Sequence, residues 1–130
     1  MKEGCTIPYV VSFDASDMSV TVRVSGEATH EEHCAARSEA VLLCQEKHCS
    51  RLLVDLRGLN TARSSTLGCF DFGRSFPQTS PPIRLAHVLP RDAKSRADVA
   101  FTSTVEANRG VSSKEFETID EARKWLLEGA

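Results

Sequence analysis

The chain has 130 residues, of which 41% are hydrophobic and 26% charged, and its formal net charge is −2. This composition is typical of a soluble single-domain protein, and no apolar run approaches the roughly 20 residues that span a bilayer. The opening MKEGCTIPY lacks the apolar core of a signal peptide, and five irregularly spaced cysteines indicate free thiols. We therefore expect a cytoplasmic protein without a membrane span, with one domain over residues 1–130 and a core at about 8–127.

The N-terminal part predicts a β-hairpin followed by a helix. Apolar and polar residues alternate through 9–13 and 19–25, and the turn-like DASD lies between them. From Thr29, which predicts a helix N-cap, apolar residues recur at helical spacing to about Cys49. The hairpin and this helix account for the first third of the chain.

Two apolar runs in the middle predict parallel strands that are covered on both faces. They are RLLVDL at 51–56 and IRLAHVL at 83–89, and both alternate too little for a half-exposed strand. Between them, residues 66–76 predict a helix before the proline-rich stretch 77–82. One stripe of that helix consists of Cys69, Phe72 and Phe76.

The C-terminal part predicts helix, strand and helix. Asp92 predicts an N-cap, and the helix after it ends at Gly110. Its expected buried residues are Ala97, Phe101 and Val105. A strand at 113–118 and a last helix begun by the capping box TIDE follow. The order β-β-α-β-α-β-α-β-α predicts an α/β domain with a mostly parallel sheet flanked by helices.

This element order and two short stretches resemble the STAS domain (sulfate transporter and anti-sigma factor antagonist) and its SpoIIAA-like relatives. In that family a central strand ends in Asp-Leu-Ser-Gly, and the next loop is Asp-Ser-Ser-Gly, whose first serine a partner kinase phosphorylates. Here DLRG at 55–58 is similar to the first motif, and RSST at 63–66 lies at the distance of the second. The resemblance implies a single STAS-like fold and makes Ser64 the possible phosphosite. Arg63 and Thr66 replace the family's aspartate and glycine.

The C-terminal part of the chain adds to this resemblance. VEANRG at 105–110, Phe116 and DEARKWL at 120–126 are similar to bacterial STAS-like proteins of unassigned function. That likeness implies the fold more strongly than it implies an activity.

The loops after the two central strands predict a binding site. If the strands are neighbours, loops 60–66 and 90–96 share the sheet edge where open α/β folds bind ligands. The candidate residues are Arg63, Ser64, Ser65, Thr66, Arg91, Lys94 and Arg96. Their charges and hydroxyls suit an anionic small molecule or an acidic protein surface. The plainer alternative is that Ser64 or Ser65 caps a helix and the basic side chains are solvated.

Metal and enzyme sites are alternative interpretations. His30 with Cys34, and Cys44 with His48, have helical ligand spacing, but the pairs lie too far apart to share one ion, so we expect no metal. An unrecognised enzyme would use Cys69 or Ser64 as nucleophile. His87 on the adjacent strand is then a possible neighbour of Cys69, although a histidine in such a strand is usually a structural core residue.

The sequence thus favours a non-enzymatic regulatory or ligand-binding module without a cofactor. One tryptophan and a negative net charge argue against nucleic-acid binding, and a dimer is compatible with the chain. What is known of SpoIIAA-like relatives also implies that a helix can open away from the sheet. Phe70, Phe72 and Phe76 would then form a movable flap over an apolar pocket rather than ordinary core.

Overall fold

The computed structural model describes residues 8–128, which form five strands and four helices in the predicted order. The strands are β1 (Tyr9–Asp14), β2 (Ser19–Val24), β3 (Arg51–Asp55), β4 (Arg84–Val88) and β5 (Ser112–Phe116). The helices are α1 (His30–Glu46), α2 (Thr66–Arg74), α3 (Ala93–Asn108) and α4 (Ile119–Glu128). The termini assigned to the predicted domain, 1–7 and 129–130, lie outside the described residues. Within 8–128, no helix combines the length and the apolar character that crossing a bilayer requires.

The strands form one mixed sheet in the order β1-β2-β3-β4-β5. The hairpin strand β1 is antiparallel to β2, and every later pair of neighbours is parallel. Parallel neighbours need a crossover connection, and α1, α2 and α3 supply the three crossovers. The central strands β3 and β4 are therefore adjacent, and their carboxyl ends lie at the same edge.

The two faces of the sheet carry different helices. Leu52 and Leu85 face the layer that contains α1 and α3, whereas Leu53 and Ala86 face α4. This arrangement covers β3 and β4 on both faces, which explains why their sequences are nearly continuous apolar runs. In the first layer, α2 packs chiefly against α3.

Helix α3 corrects the prediction of its buried face. Phe101 is 37% exposed and Ala97 is exposed, so only Val105 of the three expected core residues is buried. The buried residues of α3 are Ser95, Val99, Ser103, Val105 and Glu106. Most of that face is polar, and its side chains hydrogen-bond to neighbouring elements. A prediction based on apolar periodicity therefore selected the wrong face.

Helix α2 approaches α3 closely at Gly73. A Cβ atom at this position would lie 2.9 Å from the carbonyl oxygen of Thr102 and 3.0 Å from Cβ of Val105. Only a residue without a side chain permits this approach, so the close packing of α2 on α3 depends on the glycine.

Candidate functional site

Loops 60–66 and 90–96 meet at the carboxyl edge of β3 and β4. The Thr61 amide donates a hydrogen bond to Ser95 Oγ at 2.9 Å, and both residues are buried. Lys94 Nζ donates to the carbonyl oxygens of Thr61 at 2.7 Å and Ser64 at 3.3 Å. The start of α3 therefore holds the first loop in place.

Most of the predicted anion-binding cations contact acidic side chains of the same chain. The pairs are Arg63 with Glu27 (3.2 Å), Lys94 with Asp98 (2.6 Å) and Arg96 with Glu117. Among residues 8–128, Arg91 has no ion-pair partner within 4.0 Å, and it is exposed. An anion at these loops would have to compete with three existing ion pairs.

The hydroxyl residues of RSST form the start of α2. Ser65 is the N-cap, with extended backbone, and its Oγ accepts a hydrogen bond from the Gly68 amide at 3.0 Å. Ser64 precedes the cap and is half-buried, its amide donating to the Thr61 carbonyl at 2.9 Å. Thr66 is the exposed first residue of the helix. The capping role assigned to one of the two serines therefore belongs to Ser65.

A cavity of about 430 Å³ lies between α2 and the sheet. Strands β2 and β3 form its floor, and α2 with the residues just after it forms its roof. The floor includes Val22, Leu52 and Val54, and the roof includes Cys69, Phe72 and Phe76. Cys69 and Phe72 of the predicted stripe lie on α2 and line the cavity, whereas Phe76 lies beyond the end of the helix and is also packed in the core. This volume lies within the roughly 300–1,000 Å³ range of small-molecule sites.

The three phenylalanines expected to form a flap have different environments. Phe72 and Phe76 line the cavity, whereas Phe70 is 39% exposed and is not part of its wall. The Arg37 guanidinium of α1 lies 4.1 Å from the Phe72 ring centre and donates to the Phe72 carbonyl at 2.6 Å. Arg37 also donates to Ser75 Oγ at 3.1 Å. Arg37 thus attaches the C-terminal end of α2 to α1, and the rings of His30 and His33 on α1 also pack against Phe72.

Two exposed side chains line the cavity from the segment before α1 and from the loop before α2. Glu27 and Arg63 both belong to its wall, and their side chains are 46% and 88% exposed. The ion pair between them connects these two segments. Loop 60–66 therefore contributes to the cavity as well as to the sheet edge.

A buried polar group forms another part of the cavity wall. His87 Nε2 lies 3.0 Å from Glu106 Oε1, and the two side chains are 6% and 1% exposed. Ser113 Oγ lies 3.0 Å from the same histidine nitrogen and donates to Glu106 Oε1 at 3.0 Å. Within residues 8–128, His87 Nδ1 has no hydrogen-bond partner. His87 and Glu106 both line the cavity.

Glu106 was missed by the sequence interpretation. The signal was a polar series in α3, in which Ser95, Asp98, Thr102 and Glu106 recur every three or four residues. Such a series ordinarily indicates a solvated face, because buried charges need partners. Here His87 on β4 and Ser113 on β5 provide those partners.

Cys69 lines the same cavity as His87, but its environment does not activate the thiol. Burial raises the pKa of Cys69, and a hydrogen bond with Thr102 opposes this effect only in part. A nucleophilic cysteine needs a lowered pKa, because the thiolate is the reactive form. The environment of Cys69 therefore gives no support to the enzyme alternative.

Among residues 8–128, neither predicted His/Cys pair is part of a larger group of ligands, and His48 of the second pair lies beyond the end of α1. His30 Nε2 lies 3.7 Å from Cys34 Sγ. Burial raises the pKa of the Cys44 thiol, which disfavours the thiolate that binds metals. In the part of the chain from 8 to 128, no three His, Cys, Asp or Glu side chains are grouped so that they could hold a metal ion.

Comparison of the chain with protein-family models, with curated proteins and with solved structures gives no match.

Proposed function

We propose that this protein is a non-enzymatic STAS-like binding module that takes one small, largely apolar molecule into the cavity beneath α2. The observation that carries the proposal is the cavity itself, about 430 Å³ in volume and lined by residues of three strands and three helices. Native cores are close-packed and rarely leave a void much larger than a water molecule. A space of this size next to the core is typical of a binding site.

The family part of the proposal has support in the order of elements and in two motifs. The chain has an opening hairpin followed by alternating helices and strands, and the DLRG motif begins at Asp55, the last residue of β3. RSST leads into α2 as the corresponding loop does in the resembled family. A regulatory role fits a module that changes its surface when α2 moves over a bound molecule.

The alternative is an anionic molecule or acidic protein bound at loops 60–66 and 90–96. The ion pairs of Arg63, Lys94 and Arg96 weigh against it, and exposed Arg91 is the cation best placed to serve it. Arg91→Glu tests it directly. We expect this variant to retain the binding of an apolar probe. If the alternative is right, the variant should lose the binding of an anionic partner.

The cavity is tested with 2-methoxynaphthalene, a neutral fluorescent molecule small enough to enter. We expect saturable binding at one site, and Val54→Phe should abolish it because the larger ring fills the floor of the cavity. The matched control is Val10→Phe on β1, where the side chain is 62% exposed and outside the cavity. Equal loss in both variants, or no binding to the native chain, would overturn the proposal.

A further inference from the structure

We propose that the molecule bound in the cavity carries one carboxylate group, and that the Arg37 guanidinium binds this group. The inference rests on the proposed function and specifies its ligand class as monocarboxylic acids with a small apolar body. Two arginines, Arg37 and Arg63, line the cavity. Arg63 contacts Glu27 at 3.2 Å, whereas no carboxyl oxygen among residues 8–128 lies within 4.0 Å of an Arg37 nitrogen. Within the described part of the chain, Arg37 is therefore the arginine of the wall that has no acidic partner.

The Arg37 guanidinium lies against the roof of the cavity. Its central carbon is 4.1 Å from the ring centre of Phe72 and 5.8 Å from that of Phe76, and both residues line the cavity. The charge of Glu106, a third wall residue, also acts on Arg37. These relationships place the cation itself at the cavity, and not only its aliphatic stem.

The guanidinium has more donors than the surrounding protein uses. Of its five N–H groups, one on Nη1 donates to the Phe72 carbonyl at 2.6 Å, and one on Nη2 donates to Ser75 Oγ at 3.1 Å. Both acceptors are neutral. Within residues 8–128, Arg37 Nε has no acceptor, and it is not one of the side-chain nitrogens that are sealed from solvent without a partner. Arg37 can therefore offer parallel N–H donors to the two oxygens of a carboxylate.

Partial burial leaves the charge of Arg37 short of compensation. Burial lowers the pKa of this arginine, and the charges of Cys34, Glu106 and Asp71 oppose the lowering only in part. The guanidinium still stays protonated at neutral pH. A cation withdrawn from water costs free energy unless an opposite charge is in contact with it, and a ligand carboxylate would supply that contact.

The carboxyl groups of the wall have other partners. Three of them line the cavity, and the contacts are Glu27 with Arg63, Asp98 with Lys94 and Glu106 with His87. The first two each have a cation in contact. The Glu106 side chain is 1% exposed and so presents almost no surface to a ligand. A carboxylate bound at Arg37 would thus touch a cation, while the repulsion from Glu106 acts over a longer distance and is weaker.

The position of Arg37 defines how the ligand lies. Its apolar body packs between Phe72 of the roof and Val54 of the floor, and its carboxylate points toward α1, which carries Arg37. The two hydrogen bonds to the end of α2 already hold the guanidinium in place, so less ordering is needed on binding. A neutral molecule of the same shape would leave the unused donors unmatched, and the site should therefore prefer the acid.

Isothermal titration calorimetry with 2-naphthoate and 2-acetylnaphthalene tests the carboxylate. The two molecules have the same ring system and nearly the same shape, but only the first is charged at pH 7.5. We expect 2-naphthoate to bind the native chain roughly tenfold more tightly, because hydrogen bonds between charged groups are stronger than those to a neutral carbonyl. The preference should disappear in Arg37→Met. Arg109→Met is the matched control and should keep it, because Arg109 is exposed and is not part of the cavity wall.

Equal affinities of the two molecules for the native chain would overturn the inference. So would a preference that persists in folded Arg37→Met, or one that Arg63→Met removes instead, since the carboxylate would then bind at the other arginine of the wall.

A second measurement does not depend on how the variants fold. In native protein with ¹⁵N-labelled arginine, the Nε–H signal of Arg37 should shift with 2-naphthoate and shift much less with 2-acetylnaphthalene. A signal that 2-naphthoate leaves in place would overturn the inference, and the proposed function would still stand if 2-methoxynaphthalene binds. If none of the three molecules binds, the proposed function fails and the inference fails with it.

Discussion

Arg63 Nε lies 3.2 Å from Glu27 Oε1, and this contact joins two exposed segments of the cavity wall. Because Arg63 is 88% exposed, the pair contributes little to folding stability. Its effect should appear in the rates of ligand exchange. We expect Arg63→Glu to raise both the association and the dissociation rate of 2-methoxynaphthalene by about two- to fivefold, corresponding to roughly 0.5–1 kcal/mol for such a pair.

Stopped-flow fluorescence measures both rates, and the double variant Arg63→Glu/Glu27→Arg is the matched control because it reverses the pair without removing it. Native rates should return in the double variant. Unchanged rates in the single variant would show that the ion pair does not limit access to the cavity.

The contact at Gly73 predicts a difference between two glycines of α2. Gly73→Ala places a methyl group 2.9 Å from the Thr102 carbonyl, so α2 has to move away from α3. We expect destabilisation of roughly 1–3 kcal/mol by urea unfolding, and faster amide exchange in α2. Gly68→Ala is the control, because its Cβ meets only Ser65 Oγ at 3.1 Å and the substitution favours helix formation. Equal effects of the two substitutions would refute the close approach.

The environment of Asp55 predicts that the folded protein loses stability at acid pH. Burial alone would raise the pKa of this carboxyl, but hydrogen bonds from Arg57 and Arg23 outweigh it, and the net shift is downward. A carboxyl whose pKa is lower in the folded than in the unfolded state stabilises the fold at pH values above its unfolded pKa of about 3.9. This contribution is lost as the pH falls through the folded-state pKa. We expect Asp55→Asn to be destabilised by roughly 1.5–3 kcal/mol at pH 7 and to show a weaker fall in stability below pH 4.

Urea unfolding from pH 7 to pH 2 measures this difference. Glu46→Gln is the matched control, because it also replaces a carboxylate by an amide but at an exposed position. A parallel pH dependence in the native chain and Asp55→Asn would contradict the assignment of acid sensitivity to Asp55.

Cys69 should react slowly with thiol reagents. Because burial raises its pKa, the thiolate fraction at pH 7.5 is below that of free cysteine, and alkylation by iodoacetamide should be several-fold slower. Since Cys69 lines the cavity, bound 2-methoxynaphthalene should slow it further. Peptide mapping by mass spectrometry separates Cys69 from the other cysteines. A reaction faster than that of free cysteine would revive the nucleophile interpretation.

The sequence was sufficient for the element order, because each element has a local pattern. Thr29 caps α1 through a full capping box with Glu32, and the apolar runs of β3 and β4 reflect burial on two faces. Boundaries were less accurate: α1 ends at Glu46 rather than near Cys49, and β5 spans Ser112–Phe116 rather than 113–118.

The cavity and its polar wall could not be predicted in the same way. Phe72 and Phe76 have the same helical spacing whether their helix rests on a sheet or stands above a space. Glu106 is polar and its partner His87 is distant in sequence, so only the fold shows that they meet. Hydrophobic periodicity indicates which face a helix buries, and in α3 it indicated the wrong one; it carries no information about the distance between layers.

The packing of α2 on α3 also determines the size of the cavity. Helix α2 packs along one side against α3, and the close approach at Gly73 limits the volume of the cavity beneath α2. A larger side chain on β3 would change the shape of the cavity at its floor. A larger side chain at position 73 would move α2 away from α3, so the size and the shape of the cavity depend on different elements of the fold.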